Sequence, residues 1–278
     1  MPYTAEISRT NPTCFIFLVD RSTSMNDQIG GGIPQRKADV VADAINRLLT
    51  ELAVKCAKEE GVRDYFHVAV IGYGATVGSA FSGTLAGRDL VPLSEVADNP
   101  ARVDERVKKV PDGAGGLVET TVTFPLWMDP YADGGTPMNR ALRYAENLVK
   151  GWIERYPAGF PPIVINLTDG ESTDGVPTEA ATELTSQATA DGAVLLFNLH
   201  VSATGGSPVT FPASDNGLPD AYSRTLFGMS SVLPSHMRAY AAAQGQLVGD
   251  TTRGFVYNAD ITSVVQFLDI GTRATDLR

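Results

Sequence analysis

The sequence predicts an α/β fold: a doubly wound, mostly parallel central sheet with helices on both faces and one antiparallel edge strand. Three observations carry this expectation. Short apolar runs recur along the chain and are too continuous for half-exposed strands, so they read as strands covered on both faces. Segments with apolar residues at helical spacing lie between them. Strands that alternate with helices imply parallel pairing through crossover helices.

The first run, residues 14–20 (CFIFLVD), ends on an acidic residue. Residues 35–58 follow as a helix, with Val40, Val41, Ala44, Ile45, Leu48, Leu49 and Leu52 on one face. Residues 66–72 (FHVAVIG) form the next strand. Segment 80–125 carries Thr, Val, Gly and charges; it reads as extended or hairpin structure, the source of the antiparallel edge, with a short helix near 99–110. Residues 137–155 read as a helix, with Thr136 as its N-cap and Pro137 at the first helical position. Residues 162–168 (PIVINLT) and 193–201 (AVLLFNLHV) are strands that flank a shorter helix at 178–190. Residues 233–244 read as another helix, 254–257 as a shorter strand, and 261–272 as a final helix. Residues 202–233 form a long loop rich in Gly, Pro and Ser, a length that is usually functional or hides a short element. No repeat and no linker marks a second domain. The expectation is one domain over 1–278, with a core of about 12–272, an extended segment at 80–125 and a loop at 202–233.

Composition narrows the function. Of 278 residues, 43% are hydrophobic and 19% charged, enough for a sizeable core and too apolar for disorder. The net charge of −10, with no basic run, argues against nucleic acid, which needs a clustered basic face. Cys14 and Cys56 lie in apolar patterns and read as small buried hydrophobes, not as a disulfide or zinc framework. The N-terminus lacks a basic region followed by an apolar core, and no apolar stretch approaches the roughly 18 residues of a membrane span. A cytoplasmic location without membrane contact is therefore expected.

Three loops carry the chemistry. The first strand runs into Asp20-Arg21-Ser22-Thr23-Ser24. The strand at 162–168 runs into Thr168-Asp169-Gly170-Glu171. A third loop, Asp133-Gly134-Gly135-Thr136-Pro137, offers a hydroxyl at a helix start. In a parallel sheet, ligands bind just beyond the carboxyl ends of the strands. Asp20, Ser22, Ser24, Thr136 and Asp169 therefore share one rim, and all their donors are oxygen. Such a set suits a hard cation: magnesium first, manganese next, calcium behind both. With few protein anions around it, the ion would keep net positive charge and attract an anionic group of a partner, such as an Asp or Glu carboxylate.

The pattern Asp20-x-Ser22-x-Ser24, Gly135-Thr136 and Thr168-Asp169-Gly170 resembles the von Willebrand factor type A domain with an intact metal-ion-dependent adhesion site. The resemblance covers about residues 12 to 272. It implies a Rossmann-like fold, and a metal touched directly by Ser22, Ser24 and Thr136, with Asp20 and Asp169 often acting through coordinated water. It also implies a site that binds protein ligands and catalyses nothing. Within that family the chain looks most like stand-alone bacterial cytosolic members of the tellurite-resistance TerY type, through Ser230, Ser231, Leu233 and Pro234. The segments 80–125 and 202–233 depart from the compact family core.

Other features have plainer readings. Gly72-Tyr73-Gly74-Ala75-Thr76-Val77-Gly78 is not the dinucleotide fingerprint, and no clear amphipathic helix comes after it; a hairpin is expected. Asp20 as a phosphatase nucleophile lacks the second acid, because that position is Ser22. No G-x-S-x-G element occurs. His67, His200 and His236 share no ligand spacing, and the first two read as core. Asp27 and Glu171 read as solvated loop residues near the site, and Arg21 either meets an incoming carboxylate or is a surface charge. Phe124, Pro125, Trp127 and Met128 form either an apolar lip or buried packing. The function expected is divalent-metal-dependent protein binding. The alternatives are a magnesium-dependent phosphoryl-transfer or hydrolytic enzyme, which lacks an evident base or nucleophile, and a scaffold with a purely structural metal.

Overall fold

The computed structural model describes residues 2–29, 35–111, 116–201, 208–259 and 261–272. Strand β1 (Thr13–Asp20) is buried along its whole length. Its Phe15, Phe17 and Val19 join one hydrophobic core, and Cys14, Ile16 and Leu18 join the other. Two-residue periodicity produces that division in any strand covered on both faces. Helix α1 (Lys37–Cys56) closes the first face with Val41, Ile45, Leu48, Leu49 and Leu52.

Strand β2 (Phe66–Tyr73) pairs parallel with β1 from Thr13↔Phe66 to Asp20↔Tyr73. Strands β3 (Val77–Ser79) and β4 (Val91–Pro92) both return antiparallel on β2. Helix α2 (Leu93–Asp98) comes next. Strands β5 (Arg102–Pro111) and β6 (Leu117–Leu126) pair with each other in a separate antiparallel hairpin. Helix α3 (Met138–Arg155), strand β7 (Ile163–Thr168), helix α4 (Thr178–Ser186) and strand β8 (Leu195–Val201) continue the alternation. Strand β9 (Val209–Thr210), helices α5 (Ala221–Met229) and α6 (Ser235–Ala243), strand β10 (Phe255–Ala259) and helix α7 (Ile261–Gly271) complete the fold.

The main sheet has eight strands in the order β9-β10-β8-β7-β1-β2-β3, with β4 also on β2. Its central pairs are parallel, and its antiparallel strands lie at the edges. Helices α3, α4 and α5 cover one face, and α1, α2, α6 and α7 the other. This is the doubly wound α/β fold, and the expected antiparallel edge is present. The chain builds outward from β1 to β2 and then crosses back to β7, so the order reverses between β1 and β7. Ligand sites of such sheets form at that reversal, beyond the carboxyl ends of the strands.

One local expectation changes, and two open readings are decided. The helix expected near 99–110 is not there: a short helix lies earlier, at Leu93–Asp98, and Arg102–Pro111 is a strand. Pairing decides it, because each residue of β5 faces one of β6 from Arg102↔Leu126 to Pro111↔Leu117. Arg106 also donates to both carboxylate oxygens of Asp43 on α1, at 2.9 Å each, and covers the Phe124 ring at 3.7 Å. The long loop hides β9 and α5, whose N-cap Asp220 accepts from Ser223 N–H at 2.6 Å; residues 202–207 lie outside the described residues. Trp127 and Met128 form no exposed lip. Each is 2% exposed, and the Trp127 indole donates to Val96 O at 2.6 Å. Among the described residues, no helix is long and apolar enough to cross a membrane.

Candidate metal centre

Strand β1 delivers Asp20 to the rim, 1% exposed and with both carboxylate oxygens engaged. Oδ1 accepts from the Ser22 N–H at 2.8 Å, and Oδ2 accepts from the Thr168 hydroxyl at 2.7 Å. The first bond folds the chain back after the strand, a usual role for Asp before a turn. The second ties the end of β1 to the end of β7. Burial pushes the Asp20 carboxyl up to about 6, against the bonds from Ser22 and Thr168, and the Asp169 charge adds to the rise. A cation nearby would act the other way.

Past Asp20 the chain makes a short 3-10 turn at Thr23–Asn26, anchored by the fully buried Met25. The turn sets the Ser22 and Ser24 hydroxyls 3.0 Å apart. Ser24 donates onward to Asp169 Oδ1 at 2.7 Å. Four of the five expected residues thus form one hydrogen-bonded cluster across the β1–β7 reversal, with Thr168 as a member that sequence reasoning missed. Its side chain reads as strand in the sequence, because nothing in a linear motif shows which way a strand-end hydroxyl points.

Thr136 approaches the rim from the third loop. It is buried but is not the N-cap of α3, which begins at Met138 after a non-helical Pro137. Its N–H donates to the Thr173 hydroxyl at 2.9 Å, and its carbonyl accepts from the Thr173 and Met138 N–H groups. Asp174 does the capping instead, accepting from Asn139 and Arg140 N–H at 3.0 Å each. The Thr136 hydroxyl is thereby spared for the rim. It stands 3.9 Å from where a Cβ on Gly170 would be, beside Asp169.

Glycines allow the loops to close on one another. A Cβ on Gly74 would lie 2.6 Å from the carbonyl oxygens of both Arg21 and Asp133. Gly134 has φ +83, and its Cβ would meet Ala75 N at 2.5 Å. The Gly134 carbonyl accepts from both the backbone and the hydroxyl of Thr23, at 2.9 and 3.1 Å. The glycines at 72 and 74 therefore serve packing around the rim. Strand β3, just after them, is a hairpin return, with no helix to receive a phosphate. Gly72 makes room for Arg21, whose guanidinium donates to Asp129 O and sits 5.5 Å from the Tyr131 ring centroid.

Below the rim lies a buried polar ladder. The Tyr73 hydroxyl donates to Asn166, Asn166 to Asn198, and Asn198 to Ser230, at 2.7, 3.0 and 3.0 Å. Ser231 pins the next turn to β8, accepting from Leu196 N–H and donating its own N–H to Leu196 O. The Ser230, Ser231, Leu233 and Pro234 element thus packs against the sheet and contributes no group to the rim. The His67 ring is tilted against Trp152, and His200 stacks on Tyr257 with ring centroids 4.6 Å apart. Glu171 is exposed, and Asp27 faces solvent at 63%.

One further residue, with no signal in the three motif loops, intrudes on the rim. Lys37, the first residue of α1, places Nζ 2.7 Å from Asp169 Oδ2. The side chains are 6% and 0% exposed, so this is a buried pair. Among the described residues no group of three or more His, Cys, Asp and Glu gathers that could hold a metal. The rim has a different donor chemistry: two carboxylates, Asp20 and Asp169, with the hydroxyls of Ser22, Ser24 and Thr136. All are hard oxygen donors, and the set fits a magnesium-like ion that keeps some of its water.

No family model matches this chain, and no curated protein matches it. Among solved structures it is similar to a von Willebrand factor type A protein from Catenulispora acidiphila. The identity is 13% over 95% of this chain and 43% of that one, with a TM-score of 0.48. Proximal thread matrix protein 1 of the mussel byssus shares 14% over 94% of this chain and 47% of its own, with a TM-score of 0.47. The manganese-loaded TRAP protein of Plasmodium vivax shares 13% over 93% and 72%, with a TM-score of 0.43. The chain spans less than half the length of the first two.

Proposed function

We infer that this chain is a binding module of the von Willebrand factor type A kind, in which Asp20, Ser22, Ser24, Thr136 and Asp169 hold one divalent cation, magnesium or manganese ahead of calcium, that captures an Asp or Glu carboxylate of a protein partner. The observation that carries this reading is the cluster at the β1–β7 reversal, where Ser22 Oγ, Ser24 Oγ and Asp169 Oδ1 succeed one another at 3.0 and 2.7 Å. A hard cation bound there would supply a local positive charge for a carboxylate to meet.

The rest is the work of the chain's own groups. Ser22 and Ser24 present hydroxyl oxygens from one rigid turn, and Thr136 presents a third from the opposite loop. Asp20, with both oxygens already bonded, orients the Ser22 backbone and the Thr168 hydroxyl. Asp169 offers the second anionic charge of the rim. The reading is of binding rather than catalysis, in a cytoplasmic protein, with no role for nucleic acid or a membrane.

The test is a thermal melt of the metal-stripped protein with magnesium, manganese and calcium titrated in. An ion that binds the native state alone stabilises it by about 2.7 kcal/mol at a hundred times its Kd. The midpoint should climb with ion concentration in the wild type and stay flat in Ser24→Ala and Asp20→Ala. Midpoints that ignore all three ions at millimolar concentration, in the wild type and in a variant without the Lys37 charge alike, would remove the reading. Where the midpoint does climb, acidic peptides should bind only with the ion present.

A further inference from the structure

We propose that Lys37 is a resident counter-cation of this site, which competes with a divalent ion for Asp169 and holds the rim in a low-affinity state until it is displaced. The proposal rests on the metal-binding reading above and deepens it.

Lys37 stands where a lysine is poorly placed for its helix. It is the first residue of α1, beside Arg36, at the end of the helix that carries partial positive charge and disfavours cations. It is also almost fully buried, which for an ammonium is costly unless a partner meets it. The partner is Asp169, at 2.7 Å through Oδ2. The other oxygen of the same carboxylate accepts from Ser24. Both faces of Asp169 are thus committed, one to a hydroxyl of the rim and the other to a fixed positive charge.

A divalent ion cannot use Asp169 without confronting that charge. Two cations drawn to one buried carboxylate repel each other strongly where the medium screens little. The geometry also supplies the exit. Lys37 Nζ lies 3.7 Å from Asp27 Oδ2 and 3.5 Å from Ser24 O, and Asp27 is 63% exposed. A small swing of the flexible lysine stem moves the ammonium from Asp169 to Asp27 and into water, leaving Asp169 to the ion. Asp27 is therefore the acceptor that makes displacement possible. A partner carboxylate that strengthens ion binding would favour the displaced lysine, and by linkage the lysine weakens capture of that partner.

Isothermal titration of magnesium and manganese into metal-stripped protein tests this, with melts alongside. Lys37→Met, which keeps the stem and removes the charge, should bind the ion at least about tenfold more tightly than the wild type. Its metal-free midpoint should fall, because Asp169 loses its partner, and its rise with ion should exceed the wild-type rise. Lys37→Arg should leave affinity low. Asp27→Asn changes an exposed side chain and should fold normally; it should bind the ion more weakly than the wild type, having lost the alternative acceptor. Unchanged or weaker affinity in Lys37→Met, with wild-type binding intact, would overturn the proposal and spare the metal reading. If Lys37→Met does not fold, unchanged affinity in Asp27→Asn overturns it. Binding in Lys37→Met but not in the wild type would support it in its strongest form. Binding in neither would overturn both.

Discussion

At the scale of single residues, the rim shows which groups a linear motif reveals. Asp20, Ser22, Ser24 and Asp169 were legible because each lies at or just past a strand end, and a strand fixes where its next residues go. Thr136 was expected as a rim hydroxyl and as an N-cap, and its backbone role was not legible. Its N–H and carbonyl are bonded by Thr173, and the helix is capped by Asp174, both from a loop 34 to 37 positions away in a different strand connection. Lys37 escaped for the same reason, although a lysine at a helix start is itself a signal that something acidic lies opposite. Asp174→Ala isolates the borrowed cap. It should lower stability by about 1 kcal/mol, the usual worth of an N-cap, and also weaken ion binding because the Thr136 loop shifts. Denaturant melts with and without magnesium separate the two effects: equal losses under both conditions would mean that Asp174 serves the helix alone.

At the scale of elements, strands covered on both faces were legible almost to their ends, and the hairpin within 80–125 was legible in outline but not in its bounds. The runs at β1, β2, β7 and β8 are short, mostly apolar and rich in β-branched or aromatic residues, which together favour a buried strand over a buried helix. Strand β5 has no such signature. Its sequence, RVDERVKKVP, is charged enough to suit an exposed helix, and only the partner strand β6 makes it extended. Local propensity is weak where a long-range ladder competes with it. Arg106 is one tie between the hairpin and α1, bidentate on Asp43 while it lies over Phe124 of its own hairpin. Arg106→Ala should cost about 1 kcal/mol, because the pair is partly exposed and the cation–π contact modest. The loss should appear as faster amide exchange in residues of β5 and β6, with the main sheet unchanged. Uniform exchange changes across both sheets would mean that the hairpin and the body unfold as one unit.

At the scale of the whole molecule, charge sets a conflict that the site must resolve. The chain carries a net charge of −10, yet the proposed ligand is an acidic side chain. On approach to within about a Debye length, about 10 Å at 0.1 M salt, an acidic peptide meets the net negative charge of the protein surface and is repelled. At contact it meets the ion, whose field is local and little screened. The two ranges make opposite predictions for salt. Added salt screens the distant repulsion, so the association rate for an acidic peptide should rise between low and physiological ionic strength. The dissociation rate reports the contact and should change little. Stopped-flow measurements at fixed magnesium, with chloride as the only variable, would read both. An association rate that falls with salt would mean that a positive patch near the rim steers the ligand, against the sign of the whole molecule. A dissociation rate that climbs steeply with salt would mean that the carboxylate is held by screened surface charge, and the ion would then have no part in holding the partner.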